Sequence, residues 1–340
     1  MERMPVSADC TPNNSRHRPV AAVRIEGGLG DHILAMRLLR FIKERFPAHR
    51  IEVYSDCEGG LPQLKVLSMS PGPDRIRPVY KRPGWTKENM SNLSTLQEIY
   101  IDEMTSADVF IDANLSSLFL PHAPLLDVPI FTILGSFPQL EIPQSARDAA
   151  RGLFEDDPPR HLIAINLSKY GLRFWEAHRD SLYFMLDSLL SHAAVHIANI
   201  FSLIPSYAHW PEYERSQRER FASDEVEFIR TLDRYDPRII NIVDHDIMTV
   251  AAILARSTYF VGVDNGVKHL AWALRVPHSV ILPAGPAFDH PSALPFVLRW
   301  IPDFHRSLLL NDPTSVRRHL DSIATLLQRG GYAETLGGTG

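Results

Sequence analysis

Val20-Ala21-Ala22-Val23-Arg24-Ile25-Glu26-Gly27-Gly28-Leu29-Gly30-Asp31-His32 runs an apolar stretch into a glycine-rich turn. Val20–Ile25 reads as a short buried strand. Beyond the turn, the run from Ile33 to Phe46 sets Leu34, Leu38, Phe41 and Ile42 on one helical face. Arg37, Arg40, Lys43 and Glu44 fall mostly on the other. Strand, turn and helix in that order begin a right-handed crossover in a mainly parallel sheet. Gly27, Gly28 and Gly30 let the chain turn sharply and let a ligand approach bare backbone. The helix start offers unpaired N–H groups and a positive dipole end, which suits an anion. The plainer reading of the turn is that Asp31 caps the helix.

The alternation continues outward. Ile51–Ser55, Arg75–Val79, Val109–Ile111 and Ile130–Leu134 are further strand candidates, with helical stretches between them. Residues 155–160, Glu-Asp-Asp-Pro-Pro-Arg, stop any helix and read as a linker. The pattern then restarts with strands at Leu162–Ile165, Val195–Ile200, Ile239–Val243, Tyr259–Val263 and Ser279–Leu282. Helices fit at Trp175–Leu190, Ile247–Ala255, Val267–Leu274 and Ser315–Leu327. The sequence therefore predicts an α/β protein of two similar halves. A flexible arm covers 1–18, an N-terminal half 19–156, a C-terminal half 157–329 and a flexible tail 330–340.

Composition narrows the class. The chain has 340 residues, 45% hydrophobic and 22% charged, which excludes a mostly disordered protein. A net charge of -5 argues against a strongly basic nucleic-acid binder. No apolar run approaches the ~20 residues that span a bilayer. Met1 to Val20 is polar and lacks the apolar core of a signal peptide, so a cytoplasmic location is expected. Cys10 and Cys57 cannot make a disulfide framework, nor a zinc site by themselves.

Two more stretches carry chemistry. Val263-Asp264-Asn265-Gly266-Val267-Lys268-His269-Leu270 again follows a strand and opens a helix. Asn-Gly permits a tight turn, and Lys268 and His269 add cationic or donor capacity to the first helical turn. Asp264 suits a sugar or ribose hydroxyl; a plain turn with a capping Asp is the alternative. Asn166-Leu167-Ser168-Lys169-Tyr170-Gly171-Leu172-Arg173-Phe174-Trp175 follows the first strand of the second half. Ligands of open α/β sheets bind at such strand ends. Arg173 suits a diphosphate through charge-assisted hydrogen bonds. A solvated basic loop with Trp175 as a core anchor is the alternative.

A dinucleotide fingerprint is met in part. Gly28-x-Gly30 fits its first two glycines, Ile33 stands where the third belongs, and Asp56 ends the second strand where a ribose would bind. An NAD-type oxidoreductase therefore stays open as an alternative. Against it, Asp31 sets a negative charge beside the place of a pyrophosphate.

Together the three stretches resemble glycosyltransferase family 9, the bacterial lipopolysaccharide heptosyltransferases of the GT-B fold. The resemblance rests on Gly-x-Gly-Asp at 28–31, on Arg173 two residues before Trp175, and on Asp-x-Gly-x-x-His-Leu-Ala at 264–271. Arg45-Phe46-Pro47, Ala273-Leu274-Arg275-Val276-Pro277 and Gly285-Pro286 extend it, so that it covers roughly residues 20–300. It implies two Rossmann-like domains facing across a cleft, with acceptor mostly on the first and nucleotide-sugar mostly on the second. Asp31 falls on the family's general base. Arg173, Asp264, Asn265, Gly266 and His269 fall in the donor site, and Ser168 and Lys268 beside them read as further donor contacts by their hydroxyl and charge. The implied reaction is an inverting, metal-independent sugar transfer from an ADP-heptose-like donor to a glycan, lipid-linked or small-molecule acceptor, with no cofactor. Asn265 replaces the family's usual Ser or Thr, and Arg173 its usual Lys. Phe201-Ser202-Leu203-Ile204-Pro205 stands where the family has a Gly-Gly-rich turn. A nucleotide-sugar-binding protein without turnover is the non-enzymatic alternative.

Two clusters complete the reading. Arg75, Arg77, Lys81 and Arg82, with Lys87, Tyr80 and Trp85, suit an anionic acceptor or a membrane surface, or else form a solvated basic loop. Asp244-His245-Asp246 is the nearest approach to a metal-holding Asp-x-Asp pair and reads instead as a strand end and helix cap. No metal ligands are assigned.

Overall fold

The computed structural model describes residues 18–25, 27–55, 62–78, 106–113, 126–128, 132–133, 135–154, 159–202, 224–282, 307–310 and 312–328. In the first half, strands β1 (Val20–Ile25), β2 (Arg50–Ser55), β3 (Arg75–Pro78) and β4 (Val109–Asp112) form a four-stranded sheet in the order β3-β2-β1-β4. Every pairing in it is parallel. Helices α1 (Leu29–Ala35), α2 (Arg37–Arg45) and α3 (Pro62–Ser68) connect these strands. The second sheet has six strands: β5 (His161–Asn166), β6 (Val195–Phe201), β7 (Ile239–Val243), β8 (Tyr259–Val263), β9 (His278–Ile281) and β10 (Ser307–Leu308). Their order is β10-β9-β8-β5-β6-β7, again parallel throughout.

Strand order decides where a ligand goes. β5 has its successor β6 on one side and the later strand β8 on the other, so connections leave in opposite directions. The crevice opens at the carboxyl ends of β5 and β8. β1 plays the same part in the first sheet, between β2 and β4. All three quoted turns therefore lie at strand ends where a crevice forms.

Burial explains the apolar runs. β5, β6 and β8 are buried at every residue, as strands of a parallel sheet covered on both faces must be. Alternate residues serve different cores. Leu162 and Ala164 join a cluster that also holds Val23, Leu34, Ile253 and Leu270, so this apolar cluster runs across both halves. Ile163 and Ile165 face the other way, onto Trp175, Leu186 and Ile323. Ion-pair and cation–π contacts also cross between the halves. Lys65 of α3 pairs with Asp246, which caps α7 (Ile247–Arg256) through Met248 N at 2.9 Å. Arg37, buried, lies with its guanidinium 5.4 Å from the Trp272 ring, and burial lowers its pKa to about 10.

Several elements differ from the periodicity. The helix expected over Ile33 to Phe46 begins earlier, at Leu29, and is interrupted at Met36. Met36 keeps a right-handed backbone, and Leu39 N bonds to Met36 O at 3.2 Å, so the break is one tightened turn. Trp175–Leu190 likewise divides at His178 into α5 (Leu172–Ala177) and α6 (Arg179–Leu190). The strand expected at Ile130–Leu134 is not extended where it is described: Thr132 and Ile133 are helical. Ile133 is buried, and its carbonyl accepts from Ser136 N and Oγ in a turn. A short apolar run by itself does not distinguish strand from buried turn. α4 (Gln144–Gly152) lacks large apolar residues and went unread; it buries Ala146 and Ala150. Arg256 of α7 donates to Ala150 O at 3.2 Å, tying α4 to the second half. α8 (Gly266–Ala273) and α9 (Pro313–Gln328) follow the expected spans within two residues at each end. Among the described residues, no helix is long and apolar enough to cross a membrane.

Candidate active site

The first turn is held by its own aspartate. Gly27 has φ +106, a backbone that side chains with a Cβ resist. Gly28 caps α1, and its N–H donates to Asp31 Oδ2 at 2.7 Å. The capping role of Asp31 is thus present, and its side chain is half-buried. His32 pins the turn from below. Its Nδ1 lies 3.0 Å from Gly28 O, and its Nε2 lies 2.7 Å from Ser55 Oγ at the end of β2. A carbonyl only accepts, so Nδ1 carries the proton and, in the neutral ring, Nε2 accepts from the serine hydroxyl.

This geometry does not suit a dinucleotide. The Gly28 N–H that a pyrophosphate would use is directed at a carboxylate. Gly30 packs against the His269 ring, with no room even for a Cβ, so that side of the backbone faces protein. Asp56 lies outside the described residues.

The second turn is tied to the loop after β5. Asn265 caps α8, with Oδ1 accepting from Val267 N at 3.0 Å and Lys268 N at 3.3 Å. Its Nδ2 donates to Asn166 Oδ1 and, at 3.4 Å, to Ser168 O. One amide therefore satisfies two helix N–H groups and fixes the spacing between the two loops. Two of the N–H groups expected for a diphosphate are already used, so Gly266 N and the side chains of the facing loop remain the stronger candidates.

Asp264 gathers two ammonium groups and an imidazole. Lys268 Nζ is 3.1 Å from its Oδ1, His269 Nε2 3.5 Å, and Lys169 Nζ 3.5 Å from its Oδ2. Burial alone would raise this carboxyl. The His269 hydrogen bond and the charges of Lys268 and Lys169 outweigh it and hold Asp264 well below the usual carboxylate range. His269 moves down to about 4, first because it is buried and then because Lys268 is beside it. Lys268 Nζ lies 3.4 Å from His269 Nδ1. The ring is thus neutral at pH 7, with Nδ1 accepting from the ammonium and Nε2–H directed at Asp264. Lys268 has no exposed surface, so the structure gives it the task of balancing Asp264.

The loop after β5 is organised by a residue the sequence reading missed. Glu225 is buried, and its Oε1 accepts from Gly171 N at 2.8 Å, Trp175 Nε1 at 3.0 Å and Lys169 N at 3.1 Å. The available signal was an acid in register with Phe228, Ile229 and Leu232 on the apolar face of a helical segment. Arg173, the second residue of α5, is exposed and has no ion-pair or hydrogen-bond partner among the described residues. Lys169, which had no assigned role, donates to Asp264 O.

Of the basic cluster, Arg75 and Arg77 are described, and both lie on β3. Arg75 is exposed on β3, an edge strand separated from β1 by β2. Arg77 Nε donates to Glu52 Oε2 at 2.8 Å, and Arg50 pairs with the other oxygen of this buried carboxylate at 2.7 Å. Arg77 is thereby committed to the sheet. Lys81 and Arg82 lie outside the described residues. Among the described residues, no group of three or more His, Cys, Asp or Glu side chains could hold a metal.

Two parallel α/β halves packed against each other match the GT-B fold. Solved structures share it. A glycosyl transferase family 9 structure from Veillonella parvula is 16% identical, covering 86% of this chain and 85% of that one, with a TM-score of 0.55. E. coli ADP-heptose lps heptosyltransferase II is 14% identical, covering 91% of this chain and 99% of that one, with a TM-score of 0.57. No protein-family model matches the chain, and no curated protein matches it. The likeness is one of fold.

Proposed function

We propose that this protein is a glycosyltransferase that moves a sugar from a nucleotide diphosphate donor to an acceptor hydroxyl. One observation carries the reading: the Gly30–Asp31 turn of the first half abuts the Asp264–His269 turn of the second. The turn that carries a carboxylate on one half touches a polar turn on the other, and two reactants held by different halves would meet there.

The chemistry follows from these groups. The acceptor hydroxyl gives its proton to Asp31 as its oxygen attacks C1 of the sugar from the face opposite the leaving group. The bond from C1 to the diphosphate oxygen breaks, and the nucleoside diphosphate leaves with inversion at C1. Negative charge grows on the departing diphosphate, and in this reading Arg173, exposed in the first turn of α5, compensates it. Ser168, Asn265 and Gly266 shape the donor side. Asp264, with His269 and Lys268 behind it, holds that turn rigid and offers an acceptor for a sugar or ribose hydroxyl. In this reading 157–329 holds the donor and 19–156 the acceptor, and no metal takes part. The similar E. coli structure is described as an ADP-heptose lps heptosyltransferase, which favours an ADP-heptose-like donor for this chain.

Calorimetric titration of ADP, UDP and GDP, followed by a transfer assay with ADP-heptose, tests the proposal. Selective binding of one nucleoside diphosphate and sugar transfer that depends on Asp31 are expected. Binding without transfer in any assay would favour a nucleotide-sugar-binding protein.

A further inference from the structure

Two glycines face the seam from opposite sides. A Cβ built on Gly30 of α1 would lie 2.6 Å from His269 Cδ2 and 3.2 Å from its Nε2. A Cβ on Gly266 of α8 would lie 2.8 Å from both Cβ and Cδ2 of Leu29. The first turns of α1 and α8 are thus in direct contact, backbone against side chain, in both directions. Spacing across the seam at this point is set by atomic radii. Bare backbone admits no slack, and packed interiors transmit such contacts faithfully.

The His269 ring is the stiffer partner. It is buried, and its two nitrogens face Lys268 Nζ and Asp264 Oδ1. Turning the ring would give up both contacts inside a buried pocket. On the other side, Gly30 directly precedes Asp31, whose carboxylate is held to Gly28 N. A displacement of Gly30 therefore carries the whole Asp31 turn with it.

We propose that His269 is a positioning residue: its ring, oriented by Asp264 and Lys268 on the donor side, sets the place of the Asp31 turn on the acceptor side through contact with Gly30. The inference rests on the glycosyl-transfer reading above. It makes the donor turn the gauge for the base. Asp264 and Asp31 sit in different halves, and His269 with Gly30 forms the material link between them.

The test is a double-mutant cycle with Gly30→Ala and His269→Gln. Glutamine keeps a donor for Asp264 but replaces the rigid ring edge with a side chain that can bend away. The cycle is read in two ways. Urea denaturation reports the contact independently of activity. Gly30→Ala should raise the unfolding equilibrium constant about 10-fold or more in the wild-type background, and less than about 3-fold beside His269→Gln. Transfer kinetics with calorimetry report the positioning. Gly30→Ala should lower kcat on the order of 10–100-fold, as a misplacement near 1 Å does, while the Kd for ADP stays within about 3-fold. In the His269→Gln background the same substitution should cost kcat no more than about 3-fold further. Equal costs in both backgrounds, by either reading, would overturn the proposal. So would parallel loss of kcat and ADP affinity, which is the mark of a collapsed site. Coupling in urea with no transfer by the wild type would instead bring down the glycosyl-transfer reading, and this inference with it.

Discussion

The Lys268 ammonium lies 3.1 Å from Asp264 Oδ1 and has no exposed surface, so this cation faces protein. Burial, with this charge added to it, holds His269 neutral; the His269 hydrogen bond and the same charge hold Asp264 ionised.

His269 makes stability depend on pH. Its folded pKa, about 4, lies below the ordinary 6.5, so the unfolded chain binds the proton more tightly. The stabilisation is therefore complete above about pH 6.5 and is lost as pH falls toward 4. Up to ~3 kcal/mol of the acid loss in this window should vanish in His269→Gln. Urea denaturation of both proteins at several values of pH measures it. Parallel curves for the two would show that His269 is not held neutral.

Asp31→Asn separates base from cap. Asparagine can still accept the Gly28 N–H, so the turn should persist and Tm should change little. Turnover should fall on the order of 10²–10⁴-fold, the usual cost of removing a general base. ADP binding should stay unchanged. Steady-state kinetics beside calorimetry reads both, and full activity would reduce Asp31 to a helix cap.

Arg173 is exposed and without a protein partner among the described residues, so its removal should leave the fold untouched. Hydrogen bonds to charged groups are worth ~1.5–3 kcal/mol, and Arg173→Ala should weaken nucleoside diphosphate binding ~10–100-fold. Arg173→Lys should recover much of it, since charge contributes more than the planar fork here. Identical affinities in the three proteins would take Arg173 out of the site.

Glu225 should behave as a loop anchor. Glu225→Ala leaves three N–H donors without their acceptor and should cost ~1–3 kcal/mol of stability. It should also weaken ADP binding through the loosened loop. Glu225→Gln keeps an acceptor oxygen and should restore most of both. Denaturation and titration on the pair check this, and an alanine variant indistinguishable from wild type would refute it.

Transfer should proceed in the presence of EDTA. Loss of activity on chelation, with recovery on adding Mg²⁺ or Mn²⁺, would require a metal site and overturn the metal-independent mechanism.

Most of the architecture was legible from local pattern. β1, β2 and β5 to β9 stand close to where apolar runs placed them, because a parallel strand buried on both faces must be apolar nearly throughout. The caps were legible as well. Asp31 and Asp246 act within two or three residues of themselves, so their geometry is written in the sequence around them. At the second turn the sequence offers Asp264 as the cap, and Asn265 takes that place instead. α4 and the turn at Thr132 and Ile133 were not, because small residues and a short apolar run carry no distinctive period.

The candidate site divides the same way. Residue types and spacing mark three turns at strand ends, and parallel topology brings those of the second half to one edge. Local pattern does not say what each side chain faces once there. Lys268 reads as a ligand contact, and in the folded chain it balances the half-buried Asp264 carboxylate. Glu225 reads as one acid among several in Asp224-Glu225-Val226-Glu227, and it holds a loop more than fifty residues away in sequence. Gly30 reads as turn chemistry, and what requires a glycine there is the His269 ring of the other half. These tasks arise from contacts between segments distant along the chain. Periodicity, propensity and capping act over a few residues, whereas steric contact and charge compensation in a buried seam depend on which surfaces the tertiary fold presses together.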